Sequence, residues 1–143
     1  MNFINAKQST KGFTLVEIMM VVIIIAALAA MVVPRFVGRS EQAKVSVARS
    51  DIEAHLATAL KLYELDNGTF PTTAQGLKAL RAKPASSPAP KNWNGPYIEK
   101  DPIDPWGNEY EYVSPGKHRS DYDLFSKGKD ENSDSDDIAN WTP

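Results

Sequence analysis

The segment that decides the reading is KGFTLVEIMMVVIIIAALAAMVVP, residues 11–34. From Phe13 to Val33 it runs for 21 residues in which only Thr14 and Glu17 are polar. At about 1.5 Å per helical residue this spans roughly 31 Å, the thickness of a bilayer's hydrocarbon core. A secretory signal has a shorter apolar core, about 7–15 residues, followed by a small-residue cleavage site. Here Pro34-Arg35-Phe36 follows instead. The run therefore reads as a permanent membrane anchor behind a short polar stretch that carries Lys7 and Lys11. Glu17 is out of place in it. A charge near the bilayer centre costs about 2.5–3.5 kcal/mol. Only four residues in, its carboxylate either snorkels to the headgroups or takes a cationic partner.

The rest of the composition narrows the function. Removing the run from 143 residues leaves enough chain for one modest core. Sixteen basic and eighteen acidic residues give a net charge of −2, which argues against a nucleic-acid partner. There is no cysteine, so no disulfide stabilises the fold and no thiol chemistry is available. No G-x-S-x-G, P-loop or H-E-x-x-H motif occurs, and no Ser, His and Asp spacing recommends a triad. The chain does not read as an enzyme. His55 and His118 have no partner at metal-ligand spacing and read as surface residues.

The helix is expected to continue past the anchor. Val45, Ala48, Ile52, Leu56, Ala59, Leu60 and Tyr63 recur in steps of three and four and mark one face. Asp66-Asn67-Gly68 ends the pattern, with Asn or Gly in the left-handed position. Asn67-Gly68-Thr69 also fits a glycosylation sequon, but the helix stop is the preferred reading. The result is one helix from about residue 14 to 65, apolar all round in its first half and amphipathic in its second. Pro34 at the junction favours a local break.

The remainder reads as a small α+β head. Thr72 or Thr73 is placed to cap a short helix over Ala74–Arg81, with Leu77 and Leu80 inward. Pro84–Pro90 reads as a loop without core residues. Tyr110–Val113 and Tyr122–Ser126 alternate and read as antiparallel strands, entered through an Asp104–Asn108 turn.

These pieces together resemble a known family. A basic leader, Gly12-Phe13-Thr14-Leu15-Val16-Glu17 and an unbroken apolar helix are similar to the cleavage motif of type IV pilins and pseudopilins. FPTTAQGLKAL (70–80), NGPY (94–97), DPWGNEYEY (104–112), YDLFSKGKD (122–130) and DIANW (137–141) resemble, in order, the major pseudopilins of bacterial type II secretion systems. Type IVa pilins usually carry a C-terminal cysteine pair, which is absent here. The resemblance implies a type IV pilin-like α+β fold with a cleaved leader (1–12), a transmembrane and filament-core helix (13–33) and a periplasmic head (34–143). It implies that a prepilin peptidase cuts after Gly12 and N-methylates Phe13. Glu17 of one subunit would then neutralise the Phe13 ammonium of its neighbour, an attraction far stronger in low dielectric than in water. Copies would polymerise into a periplasmic pseudopilus, with minor pseudopilins and an inner-membrane assembly platform as partners, and would drive folded proteins across the outer membrane. The alternatives are a type IV pilin for adhesion or motility and a membrane-tethered binding module that never polymerises. Lys7 and Lys11 before the span face Arg35, Arg39, Lys44 and Arg49 after it, so charge alone does not give the inner-membrane, head-out orientation.

Residues 121–137 hold seven carboxylates, Asp121, Asp123, Asp130, Glu131, Asp134, Asp136 and Asp137, against Lys127 and Lys129. From the residues alone this is either a solvated acidic loop or a site for a hard cation such as calcium. It is not an EF-hand. Asp130, Asn132 and Asp134 fit positions one, three and five, but Ser135 stands at six and Trp141 at twelve. The major pseudopilins bind calcium in this loop. Carried over, the ligands would be the Lys127 carbonyl, Asp130 and Asp137, with Asp134 or Asp136 completing the shell.

Overall fold

The structure, a computed structural model, describes residues 12–142, with the backbone alone for residues 34–37. Apart from Gly12, the leader expected over residues 1–12 lies outside the described residues. Two compact units divide at Ser40 and Glu41.

In the first unit, helix α1 (Leu15–Ser50) begins two residues after Phe13. Its large apolar side chains are exposed, from Leu15 at 79% to Val21 at 47%. A helix apolar on every side needs lipid or neighbouring helices around it. The helix is long and apolar enough to cross a membrane. The break expected at Pro34 is absent, because the backbone stays helical through residues 34–37. A proline removes one backbone bond, and here the turns on both sides carry the helix across.

The second unit starts at Glu41 and holds the core. The expected stripe is buried at Ala48, Ile52, Leu56, Ala59, Leu60 and Tyr63, with Val45 packed against it. Ala48, Ile52, Leu56 and Leu60 are each four apart, a longer interval than the 3.6-residue α-helical turn. The backbone absorbs the surplus in a π-helical turn, Asp51–Leu56, before α2 (Ala57–Asn67) resumes. Gly68 ends α2 in the left-handed region (φ 79°), its N–H donating to the Glu64 carbonyl at 2.7 Å. The Asn67 amide is engaged with Tyr63 and Asn92, which fits the helix stop.

The sheet is antiparallel with strand order β1-β2-β3: β1 (Glu111–Val113), β2 (Asp123–Ser126) and β3 (Ile138–Ala139). Tyr112 pairs with Leu124, and Ser126 with Ile138. Tyr110, Tyr112, Tyr122, Leu124 and Ile138 meet the helical stripe in one core, together with Leu77, Ala79 and Leu80. The helix expected over Ala74–Arg81 is instead a turn followed by a 3-10 segment, Leu77–Leu80. Gly76, at φ 59° and ψ −167°, interrupts it. Thr72 does cap this start, reciprocally with Gln75: each side-chain oxygen accepts the other's N–H. Pro90, at the end of the loop read as coreless, is buried.

Candidate functional site

Two regions carry the site residues, and each is described within its own unit. The first is the start of α1. Gly12, Phe13 and Glu17 are exposed, Phe13 by 79%. Among the described residues, a Cβ at Gly12 would meet nothing within 4 Å. The Thr14 hydroxyl accepts the Glu17 N–H at 3.1 Å, and the Glu17 carboxylate accepts the Thr14 N–H at 3.5 Å. Thr14-Leu15-Val16-Glu17 is thus a capping box, satisfying two donors that a helix start leaves open. The sequence reading missed Thr14, although T-x-x-E ahead of an apolar run is the signature of this motif. Glu17 also lies in the first turn, where the helix dipole favours a carboxylate.

The second region is the loop from β2 to β3. Ser126 and Gly128 are buried, and Gly128 sits at φ 66°. A Cβ there would lie 2.6 Å from the Asp136 carbonyl and 2.9 Å from its carboxylate, so only glycine fits this turn. The turn aims two N–H groups, of Lys129 and Asp130, at Asp136 Oδ2, each at 3.0 Å. Asp136 Oδ1 is buried and, among the described residues, has no partner. The Asp130 carboxylate accepts the Asn132 N–H at 3.1 Å, while Ser133 caps the 3-10 turn Asp134–Asp136. Burial, then the nearby charges of Asp134 and Asp136, push the Asp137 carboxyl above its ordinary range, with Lys127 opposing them.

The chemistry of these donors suits a hard cation. All are oxygens, one buried acceptor is orphaned, and one carboxyl resists ionisation among like charges. The arrangement is not a closed site: among the described residues no three acidic or imidazole side chains are gathered to hold a metal. Of the five expected ligands, Asp136 has one oxygen committed to the backbone and one free, and Asp130 caps its own turn.

Beside this loop, the C-terminus is held by contacts that the sequence did not reveal. Asp123 is buried, and its carboxylate accepts the N–H groups of Lys117 at 2.7 Å and of His118 and Arg119 at 3.0 Å. Burial alone would raise its pKa. The N–H groups of His118 and Lys117, the His118 ring and the Arg119 N–H outweigh burial and hold the carboxyl below its usual range. His118 is not a lone surface residue. Its ring stacks on Trp141 with centroids 4.2 Å apart and bonds Asp123 at 3.0 Å. His55 is a surface residue, 2.7 Å from Asp51.

Comparison with known proteins covers both regions. The family model described as type II secretion system (T2SS), protein G, matches residues 35–141, and the prokaryotic N-terminal methylation motif matches residues 7–33. The chain belongs to the type II secretion system protein G family. A Pseudomonas aeruginosa relative in this family, type II secretion system core protein G, is 51% identical over 140 residues, covering 94% of this chain and 97% of the relative. The Escherichia coli K12 protein of the same name is 49% identical over 138 residues, covering 95% and 94%. The crystal structure of the major pseudopilin from the type 2 secretion system of enterohaemorrhagic E. coli is similar at TM-score 0.65 and 41% identity. It covers 77% of this chain and 96% of that one. The protein G family thus accounts for the long helix, the small antiparallel sheet and the methylation motif on one chain.

Proposed function

We propose that this chain is a structural subunit that polymerises into the periplasmic pseudopilus of a type II secretion system and so drives folded proteins across the outer membrane. The observation that carries this is the protein G match over residues 35–141 on the same chain as the methylation motif at 7–33. In this reading residues 1–12 are a leader, 13–33 the transmembrane and filament-core helix and 34–143 the periplasmic head. A prepilin peptidase cleaves between Gly12 and Phe13 in the inner membrane and methylates Phe13. The Glu17 carboxylate, held in the subunit by the Thr14 N–H, then exchanges that partner for the Phe13 ammonium of an adjacent copy. Minor pseudopilins and an inner-membrane assembly platform are the remaining partners.

The acidic loop fits calcium in this reading. The Lys127 carbonyl, Asp130 and Asp137 would hold it, and Asp136, through its unpartnered Oδ1, is better placed than Asp134 to complete the shell. Calcium supplies a compact double positive charge that closes the loop against the sheet. The chain's own residues fix the Gly128 turn, seat Asp136 on two N–H groups and order Asp130. Binding to the folded state alone stabilises it in proportion to occupancy, which suits a head without cysteines.

The test is complementation of a secretion-deficient strain lacking its own major pseudopilin. This chain should restore export and, with the secretion machinery overproduced, form filaments visible by electron microscopy. Retractable surface pili would favour the pilin reading. Absence of any filament or cross-linked ladder would favour a tethered module.

A further inference from the structure

A chain of hydrogen bonds runs through the head from the helix to the acidic loop. At its centre are two buried polar residues, Asp104 at 4% exposure and Ser126 at 0%. The Ser126 hydroxyl donates to Asp104 Oδ2 at 2.6 Å and accepts the Gly128 N–H at 3.1 Å. Asp104 Oδ1 accepts the N–H groups of Trp106 at 3.0 Å and Asn108 at 2.8 Å. The Trp106 indole then donates to Glu41 at 2.7 Å, with the Lys44 ammonium 5.9 Å from the ring centroid. Glu41 opens the second unit, and Gly128 opens the turn whose next two N–H groups seat Asp136.

Burying a carboxylate is costly, and an apolar pair of similar volume is often at least as stable. Asp104 is therefore not explained by core stability alone. Its geometry does specific work: one oxygen shapes the turn that presents Trp106 to the helix, and the other orients the hydroxyl that fixes residues 126–128. These backbone atoms include the Lys127 carbonyl. Residues supporting a metal ligand, without touching the metal, typically change affinity by about 10- to 100-fold when removed.

Resting on the calcium reading above, we propose that Asp104 and Ser126 are the positioning pair of the acidic loop and couple it to α1. Cation binding tightens the Trp106–Glu41 hold on the helix, and the intact hold strengthens cation binding. The two effects are equal by thermodynamic reciprocity. Loop occupancy thereby sets how firmly the head grips the helix at Glu41.

The experiment uses the full chain in detergent micelles, titrated with calcium chloride by calorimetry, with amide hydrogen exchange followed at residues 41–45. In the wild type, calcium should slow exchange there. Ser126→Ala and Asp104→Asn should weaken calcium binding by about tenfold or more and remove the exchange response. Ser126→Thr, which keeps the hydroxyl, should restore both. If the wild type takes up no calcium, the calcium reading itself falls. If it binds calcium but exchange at 41–45 does not respond, or Ser126→Ala binds equally well, calcium stands and the coupling is overturned. Should Ser126→Ala fail to fold, the wild-type response and its loss in Trp106→Phe decide the question.

Discussion

The Thr14 hydroxyl and the Glu17 carboxylate each accept the other's backbone N–H, at 3.1 and 3.5 Å, so the acid in the apolar run has a partner within its own chain. That partner orders the carboxylate but leaves its charge unneutralised. On the proposed pairing, assembly would exchange a neutral N–H at home for an ammonium on a neighbour, which adds the attraction of a full opposite charge to the hydrogen bond.

Glu17→Ala should therefore leave the protein cleaved and inserted but reduce filament yield at least about tenfold, since one pair lost is worth more than 1.4 kcal/mol in low dielectric. Glu17→Asp should fall between, its shorter arm lengthening the pair. Thr14→Ala should remove the cap, costing roughly 0.5–2 kcal/mol at the helix start, and Thr14→Ser should retain it. Cross-linked ladders from membranes measure all four variants, and normal assembly of Glu17→Ala would contradict the pair.

Processing gives an independent outcome. Cleavage after Gly12 should remove 12 of 143 residues and leave 131, beginning at an N-methylated Phe13. Among the described residues nothing crowds a side chain at Gly12, so on this reading a requirement for glycine would be the peptidase's. Gly12→Trp should stay folded and inserted yet uncut. An intact mass spectrum distinguishes the two forms, and ordinary processing of Gly12→Trp would remove the assignment.

The legible parts of this fold are those set by local pattern. Ile52, Leu56, Leu60 and Tyr63 announce their face through spacing, and Gly68 announces the helix end. The π-helical turn at Asp51–Leu56 was hidden, because apolar residues four apart also fit an ordinary helical stripe. Gly76 shortened a helix that Thr72 correctly starts. Asp104 and Ser126 lie 22 residues apart and meet only when the sheet forms. In the acidic loop the cluster was plain but its arrangement was not. Nothing in a row of like charges says which carboxylate turns inward, and that choice is made by the Gly128 turn.

Acid should loosen the C-terminal part of the head first. The Arg119 guanidinium holds the Asp121 carboxyl down to about 2, and N–H donors hold Asp123 below its usual range. Both pKa values are depressed on folding. Their stabilisation is present above the unfolded carboxylate range and is lost as pH falls through the folded values. Asp123→Asn, which turns an amide N–H toward a nest of donors, should cost about 1–3 kcal/mol at neutral pH. Urea titrations at pH 7 and pH 3 measure this, and the variant's deficit should shrink at the lower pH.

Asp137 runs the other way, and this gives the calcium reading its sharpest outcome. Its carboxyl is raised by burial and by Asp134 and Asp136. A raised carboxylate contributes stability that is present at low pH and lost as pH rises through its folded value. At neutral pH the cation-free loop therefore carries a repulsion that calcium would cancel. Calcium should raise the melting temperature of the full chain near pH 7 and do progressively less as pH falls through the carboxylate range, because protons compete for the same oxygens. At 100 times Kd the gain would be about 2.7 kcal/mol. Asp137→Asn should relieve the repulsion, stabilising the calcium-free protein slightly while abolishing most of the calcium response. Asp130→Ala should abolish the response without that gain. Chelation should expose residues 127–137 to protease in the wild type. Thermal melts with calcium or chelator at pH 5 and pH 7 measure these differences, and a calcium response that survives in both variants would place the cation elsewhere.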